Sequence, residues 1–129
     1  MMKMLFMGTM SLIALSFSSM AFADANLTNP TGEDLVNWDN AAKRVLSGKQ
    51  AGDDSDLAWV SAGFISGIVS ANNGVTFCTK SKVSLLQSSA VVRKYLDDNP
   101  GKWKERAGVI INNAMSESFP CYEYIPKRN

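Results

Sequence analysis

Residues 56–71 have the sequence DLAWVSAGFISGIVSA and form the most apolar segment of the chain after its first two dozen residues. Apolar side chains recur in it at intervals of three and four residues, which predicts a helix with an apolar stripe. The stripe consists of Leu57, Val60, Phe64 and Ile68, with Trp59 and Ile65 beside it. Because helical spacing of this kind is typical of core residues, we expect Trp59 to be buried together with Trp38 and Tyr95.

Small residues form a second face of this predicted helix, where Gly63 and Gly67 have the spacing G-x-x-x-G. A glycine inside a helix costs about 1 kcal/mol relative to alanine. We therefore expect Gly63 and Gly67 to be needed for the close packing of another helix across this face.

The segment before this predicted helix has the signals of a first helix. Thr31 and Asp34 have the spacing of a capping box, and Gly48 is a suitable residue at which the helix stops. The apolar face of this helix contains Leu35, Trp38, Ala42 and Val45.

Two more helices are predicted after it. Ser84 and Gln87 form a capping box that opens a third helix, which ends near Asp98 at an Asn-Pro-Gly sequence. A fourth helix is expected over residues 103–118, with Ala107, Ile110, Ile111, Ala114, Met115 and Ser118 on its apolar face. No alternating strand pattern competes, so the sequence predicts an all-α, single-domain bundle of about four helices.

The beginning of the 129-residue chain has the features of a secretory signal peptide. A basic start at Lys3 is followed by an apolar run and by Ala21-Phe22-Ala23, which predicts cleavage after Ala23 and export to the periplasm. Residues 24–129 then form one helical domain. Lys3 is one of 13 basic residues, so its removal leaves the basic residues equal in number to the 12 acidic ones.

Composition excludes several functions. The chain contains no histidine, which excludes zinc sites with histidine, Ser-His and Cys-His nucleophile pairs, and histidine-ligated haem. A neutral domain without a basic block is a poor ligand for nucleic acid or anionic membranes. We therefore expect neither an enzyme nor a cofactor-binding protein. An acidic group at Asp53, Asp54 and Asp56 could suggest calcium, but capping of the following helix explains it better, and no metal is expected.

Cys78 and Cys121 are the two cysteines of the chain. In an exported protein the simplest arrangement is one structural intramolecular disulfide, and the alternatives are a redox pair or an intermolecular bridge. Such a bridge would stabilise the domain by about 4 kcal/mol and hold the third and fourth helices together.

Several short motifs together resemble the Rap/Tai immunity proteins of Gram-negative bacteria. They occur in the order and spacing of that family, whose pattern is G-Y-I-x-G, F-C, V-[ST], Y-L, a proline and a closing A-F-P-C. In this chain they are Gly63-Phe64-Ile65-Ser66-Gly67, Phe77-Cys78, Val83-Ser84, Tyr95-Leu96, Asn99-Pro100 and Phe119-Pro120-Cys121. The resemblance extends over roughly residues 31–121.

The sequence departs from the family in one respect. Members commonly have a second cysteine pair between the first two helices, and here Ser61 and the region near Trp38 occupy the two corresponding places. We therefore expect the first two helices to be held by packing of Trp38, Trp59 and the glycine face.

The resemblance implies a periplasmic immunity protein that binds and inhibits a type VI secretion effector, in the best-known cases a peptidoglycan amidase. It also implies a helical fold, and it adds a second copy of the chain, forming a homodimer, to the partners to consider. We predict an effector-binding surface at the turn between the third and fourth helices, consisting of Asp97, Asp98, Lys102, Trp103 and Lys104. Trp103 has two interpretations, as an exposed anchor for the partner or as a hydrophobic plug under the turn.

Two other functions compete with this interpretation. A small acid-stress chaperone of the periplasm would also be exported, helical and bridged once, but it would respond only near carboxylate pKa values of about 4. A small-ligand binding protein would need a pocket between helices, which no motif marks. An enzyme is the most distant alternative.

Overall fold

The structure is a computed structural model that describes residues 27–121. Its elements are α1 (Gly32–Leu46), α2 (Asp54–Asn72), α3 (Leu85–Asp98), a single 3-10 turn (Pro100–Lys102) and α4 (Ala107–Ser118). Between residues 27 and 121 there are two isolated β-bridges and no strand. The predicted all-α bundle of about four helices is confirmed. The predicted signal peptide, residues 1–23, lies outside the described residues.

Both predicted capping boxes form. At α1 the backbone N–H of Thr31 donates to Asp34 Oδ2 at 2.8 Å. At α3 the Ser84 hydroxyl accepts from the N–H of Gln87 at 3.2 Å, and Gln87 Oε1 accepts from the N–H of Ser84 at 2.8 Å. Each box satisfies N–H groups that have no partner within the helix, which fixes where these helices begin.

The fourth helix begins at Ala107, four residues later than predicted. The carbonyl groups of Trp103 and Glu105 accept instead from the N–H groups of Glu33 and Gly32 at 2.9 and 3.1 Å. These two contacts cap the first turn of α1 from another part of the chain. Residues 103–106 therefore cross the start of α1 and do not extend α4.

The core lies where α4 packs against α1, α2 and α3. Its buried hydrophobic residues are Leu35, Val36, Trp38, Ala41, Ile65, Phe77, Val92, Tyr95, Leu96, Ala107, Ile110, Ile111, Ala114 and Met115. The predicted face of α4 is thus confirmed except for the exposed Ser118. Phe77 was not predicted as a core residue, because it lies in a short connection without periodicity.

Packing holds α1 and α2 together. The rings of Trp38 and Phe64 meet edge to face with their centroids 5.8 Å apart. Ile65 and Ser61 are also buried, so the place where relatives have a cysteine is filled by a small side chain. Trp38 therefore has the packing role that was expected of it.

Three expectations for α2 are wrong. Trp59 is 77% exposed and does not contribute to the core. Gly63 and Gly67 are exposed, and a Cβ atom at either position would meet nothing within 4 Å. The physical reason is that α1 packs on the side of α2 that carries Phe64, which leaves the glycine face in solvent. Among the described residues, no helix is long and apolar enough to cross a membrane.

Candidate functional site

An open groove lies between α1, α2 and α3 and encloses about 700 Å³. Small side chains from all three helices leave its interior unfilled. They are Ala42, Ala58, Ser61, Ala62, Ser89 and Ala90. Because no large side chain among residues 27–121 fills this space, the groove has room for another element.

One end of the groove is apolar and uncovered. Leu46 at the end of α1, Trp59 on α2 and Leu86 at the start of α3 are 74%, 77% and 67% exposed. The neighbouring Leu85 also lines this end and is 38% exposed. Apolar side chains gathered in one concave patch are more typical of a contact surface than single exposed leucines.

The other end of the groove is charged, with Arg93 at its centre. Arg93 Nη1 donates to Asp39 Oδ2 at 2.8 Å and to Asn40 Oδ1 at 3.0 Å, while Nε donates to Asp97 Oδ1 at 2.8 Å. The carboxylate of Asp97, followed by that of Asp39, raises the pKa of Arg93 above its usual value. Arg93 therefore ties α3 to α1 across the groove.

Two exposed lysines lie on the opposite walls of this charged end. Lys43 on α1 pairs with Asp39 at 2.7 Å, and Lys94 on α3 pairs with Asp98 at 2.6 Å. The Asp98 carboxylate raises the pKa of Lys94. Surface pairs of this kind contribute about 0–1 kcal/mol, so these side chains can exchange partners readily.

The structure separates the five predicted partner-binding residues into two groups. Asp97 and Asp98 lie at the end of α3 and line the groove. Lys102 is half-buried and pairs with Glu105 at 3.5 Å. A hydrogen bond with the Tyr95 side chain raises the pKa of Lys102. Lys104 is exposed on the turn. A binding role for these five residues stays a prediction.

The contacts of Trp103 support the second of its two interpretations, a hydrophobic plug under the turn. Its indole N–H donates to the carbonyl oxygen of Leu96 at 2.8 Å, and its ring packs against the core. Its backbone lies so close to α1 that a Cβ atom on Gly32 would come within 2.8 Å of Trp103 Cα. Trp103 is therefore a plug that fastens the turn to the start of α1.

Beside the apolar end, an ion pair fastens the loop between α1 and α2. Arg44 Nη2 and Nε donate to the two carboxylate oxygens of Asp54 at 2.6 and 2.8 Å, and the N–H of Ala51 donates to Asp54 Oδ2 at 2.9 Å. These contacts, Arg44 first, lower the pKa of Asp54 to about 2. Asp54 is thus engaged by protein groups, and within residues 27–121 no group of three acidic or cysteine residues could hold a metal ion.

The disulfide joins Cys78, in the connection before α3, to Cys121, just after α4. The N–H of Cys78 also donates to the carbonyl oxygen of Phe119 at 2.8 Å. The predicted intramolecular bridge is confirmed, which excludes an intermolecular bridge between these cysteines in this form of the protein. The bridge fixes the end of α4 beside the approach to α3.

Sequence reasoning missed the apolar end of the groove because it assigned Trp59 to the core. One signal was available in α2. Its apolar residues are spread over more than one face, which is more than a single neighbouring helix can cover. Leu46 and Leu86, at the ends of their helices, give no comparable signal.

Together these features define a small, disulfide-bonded helical domain whose apolar groove is suited to contact with another protein. A model of the family described as Rap1a immunity proteins matches residues 31–121. The chain belongs to this family. No curated protein and no solved structure gave a match. Membership supports a role as an immunity protein, which implies binding to an effector.

Proposed function

We propose that this protein is a periplasmic, non-catalytic inhibitor that binds a type VI secretion effector, specifically a peptidoglycan amidase, and blocks its active site. The observation that carries the proposal is the family match, which extends over residues 31–121 and so includes all four helices and both cysteines. The features of a signal peptide at residues 1–23 support a periplasmic site of action.

The described geometry suits inhibition by binding. Tight binding requires a surface that is already ordered in the free protein, because ordering a surface on association reduces affinity. Here the disulfide, the capping boxes and the Arg93 and Arg44 ion pairs fix the helices around the groove. The preformed apolar end offers the kind of anchor site on which most interface energy depends.

A rescue assay tests the proposal. Type VI peptidoglycan amidases are directed one at a time to the periplasm of a Gram-negative host, with and without this protein. We expect the full chain to restore growth against its cognate amidase. The matched control begins at residue 24 after an added methionine, stays in the cytoplasm and should give no rescue.

A purified assay separates inhibition from general protection. The rescued amidase is given muropeptide substrate with increasing amounts of this protein, and cleavage should stop near equimolar ratio. Failure to rescue or inhibit any amidase, together with protection of an aggregating client near pH 2–3, would instead identify an acid-stress chaperone.

A further inference from the structure

The shape of the groove indicates what kind of element it receives. The α3 wall extends from Leu86 to Asp97, which corresponds to about 18 Å or three helical turns. Alanine and serine line the interior, so side chains of a helix that lies along the groove can enter it. A second copy of this chain would present the same concave surface, and two concave surfaces leave a gap between them.

The charges along the rim indicate the chemistry of that element. Lys43 on α1 and Lys94 on α3 are 59% and 77% exposed in their side chains, and they line opposite walls of the groove, where surface ion pairs join them to Asp39 and Asp98. Beyond them, Asp97 and Asp98 lie exposed at the end of α3. From the leucine end onward, the order is therefore apolar, basic and then acidic.

This order disfavours ligands of a single charge. The rim carries three basic and three acidic side chains, namely Lys43, Arg93, Lys94, Asp39, Asp97 and Asp98. A nucleic acid or an anionic lipid surface would meet the aspartates as well as the lysines. A peptide with the opposite sequence of charges would satisfy both groups.

We propose that the groove is the effector-binding site and receives one amphipathic helix of about 12 residues from the effector. Its apolar half packs on Leu46, Trp59 and Leu86. An acidic side chain follows and lies between Lys43 and Lys94, and a basic side chain then pairs with Asp97 and Asp98. The source of the helix rests on the proposed function, whereas the groove's preference for this pattern does not.

Two synthetic peptides test the pattern directly. Both are 14-residue, fluorescein-labelled amphipathic helices with the same leucine-rich half. In the first a glutamate precedes a lysine in the other half, and in the second these two residues are exchanged. By fluorescence anisotropy we expect the first to bind at least about 10-fold more tightly, which corresponds to about 1.4 kcal/mol. Equal binding of both, or binding of neither, overturns the proposal.

Substitutions test whether the first peptide binds in the groove. Leu86→Arg puts a charge at the apolar end, and Val75→Arg is the matched control because Val75 is 75% exposed and lies outside the groove. Leu86→Arg should weaken binding of the first peptide at least about 30-fold and Val75→Arg should leave it unchanged. The double variant K94E/D98K should reverse the preference between the peptides. Circular dichroism checks that each variant is folded.

The same variants distinguish this inference from the proposed function. If the wild type inhibits an amidase and both Leu86→Arg and Val75→Arg still inhibit it, the groove proposal is overturned and the proposed function stands. If the wild type inhibits no amidase, the proposed function fails and the peptide assay alone decides the specificity of the groove. A wild-type dimer that Leu86→Arg dissociates, with neither peptide bound, would assign the groove to a second copy.

Discussion

The α4 side of the molecule and the groove side are built from similar residues but have different surroundings. On α4, Ile110, Ile111 and Met115 are completely buried by the other helices. On the groove side, Trp59 and Leu86 are largely exposed although they lie on helices of the same bundle. Apolar content alone therefore does not distinguish a core from a contact surface, because burial depends on whether another element covers the face.

Disulfide removal should have the largest effect, and it tests the α4 side. Cys78 and Cys121 are 43 residues apart in sequence, and a loop of that length corresponds to about 4 kcal/mol in the free energy of unfolding. We expect the double variant C78S/C121S to lose about that amount in urea denaturation. An unchanged midpoint would show that packing alone fixes the end of α4.

Truncation on the two sides should differ by about 3 kcal/mol. Ile111→Ala removes a completely buried side chain and should cost about 3 kcal/mol through lost burial and a cavity. Leu86→Ala removes a side chain that is 67% exposed and should change stability by less than about 0.5 kcal/mol. Similar losses in urea denaturation would contradict the contrast between core and groove.

Adding a methyl group at Gly32 should cost about 2 kcal/mol. A Cβ atom there would come within 2.7 Å of Ile110 Cδ1 and 2.8 Å of the Trp103 carbonyl oxygen, so backbone must move. Thermal unfolding of Gly32→Ala checks this. A variant as stable as the wild type would show that the backbone around Trp103 can move away from α1 without loss of stability.

Alanine at Gly63 or Gly67 should have the opposite effect on stability to alanine at Gly32. Both lie inside α2 with open space around them, so alanine should stabilise the protein by up to about 1 kcal/mol at each position. The Tm of G63A and of G67A should rise. A fall at either position would revive the expectation that another helix packs across this face.

The smallest effect concerns the Arg44–Asp54 pair. The pKa of Asp54 is about 2 in the folded protein and about 3.9 in an unfolded chain, so its contribution is fully present above pH 4 and is lost as pH falls through 2. The stability difference between wild type and Asp54→Asn should therefore be constant from pH 5 to 7 and shrink below about pH 4. A difference that grows on acidification would contradict this assignment.

Much of the fold follows from local chemistry that a sequence displays. The capping boxes at Thr31 and Ser84 and the bridge between the two cysteines act over short distances or through a single covalent bond, and all three were predicted. The buried face of α4 follows from its regular spacing. The beginning of α4 could not be predicted, because residues 103–106 are fixed by contacts to α1 that lie far away in sequence.

The groove depends on the tertiary arrangement of α1, α2 and α3, so most of it could not be predicted from the sequence. The pair of Arg93 with Asp39 joins residues more than 50 positions apart, which no local pattern reveals. Whether Trp59 is buried depends on the side of α2 against which α1 packs. Asp97 and Asp98 are the two predicted partner-binding residues that the fold brings to the groove.

Oxidation of Trp59 reports whether the groove is the effector-binding surface. Hydroxyl-radical footprinting with mass spectrometry would compare its oxidation in the free protein and in the complex with the inhibited amidase. Trp38, which is 2% exposed, is the internal reference for a protected tryptophan. We predict that oxidation of Trp59 falls close to that of Trp38 in the complex while Val75 stays reactive. Unchanged oxidation of Trp59 in a complex that inhibits the amidase would show that the effector does not bind in the groove.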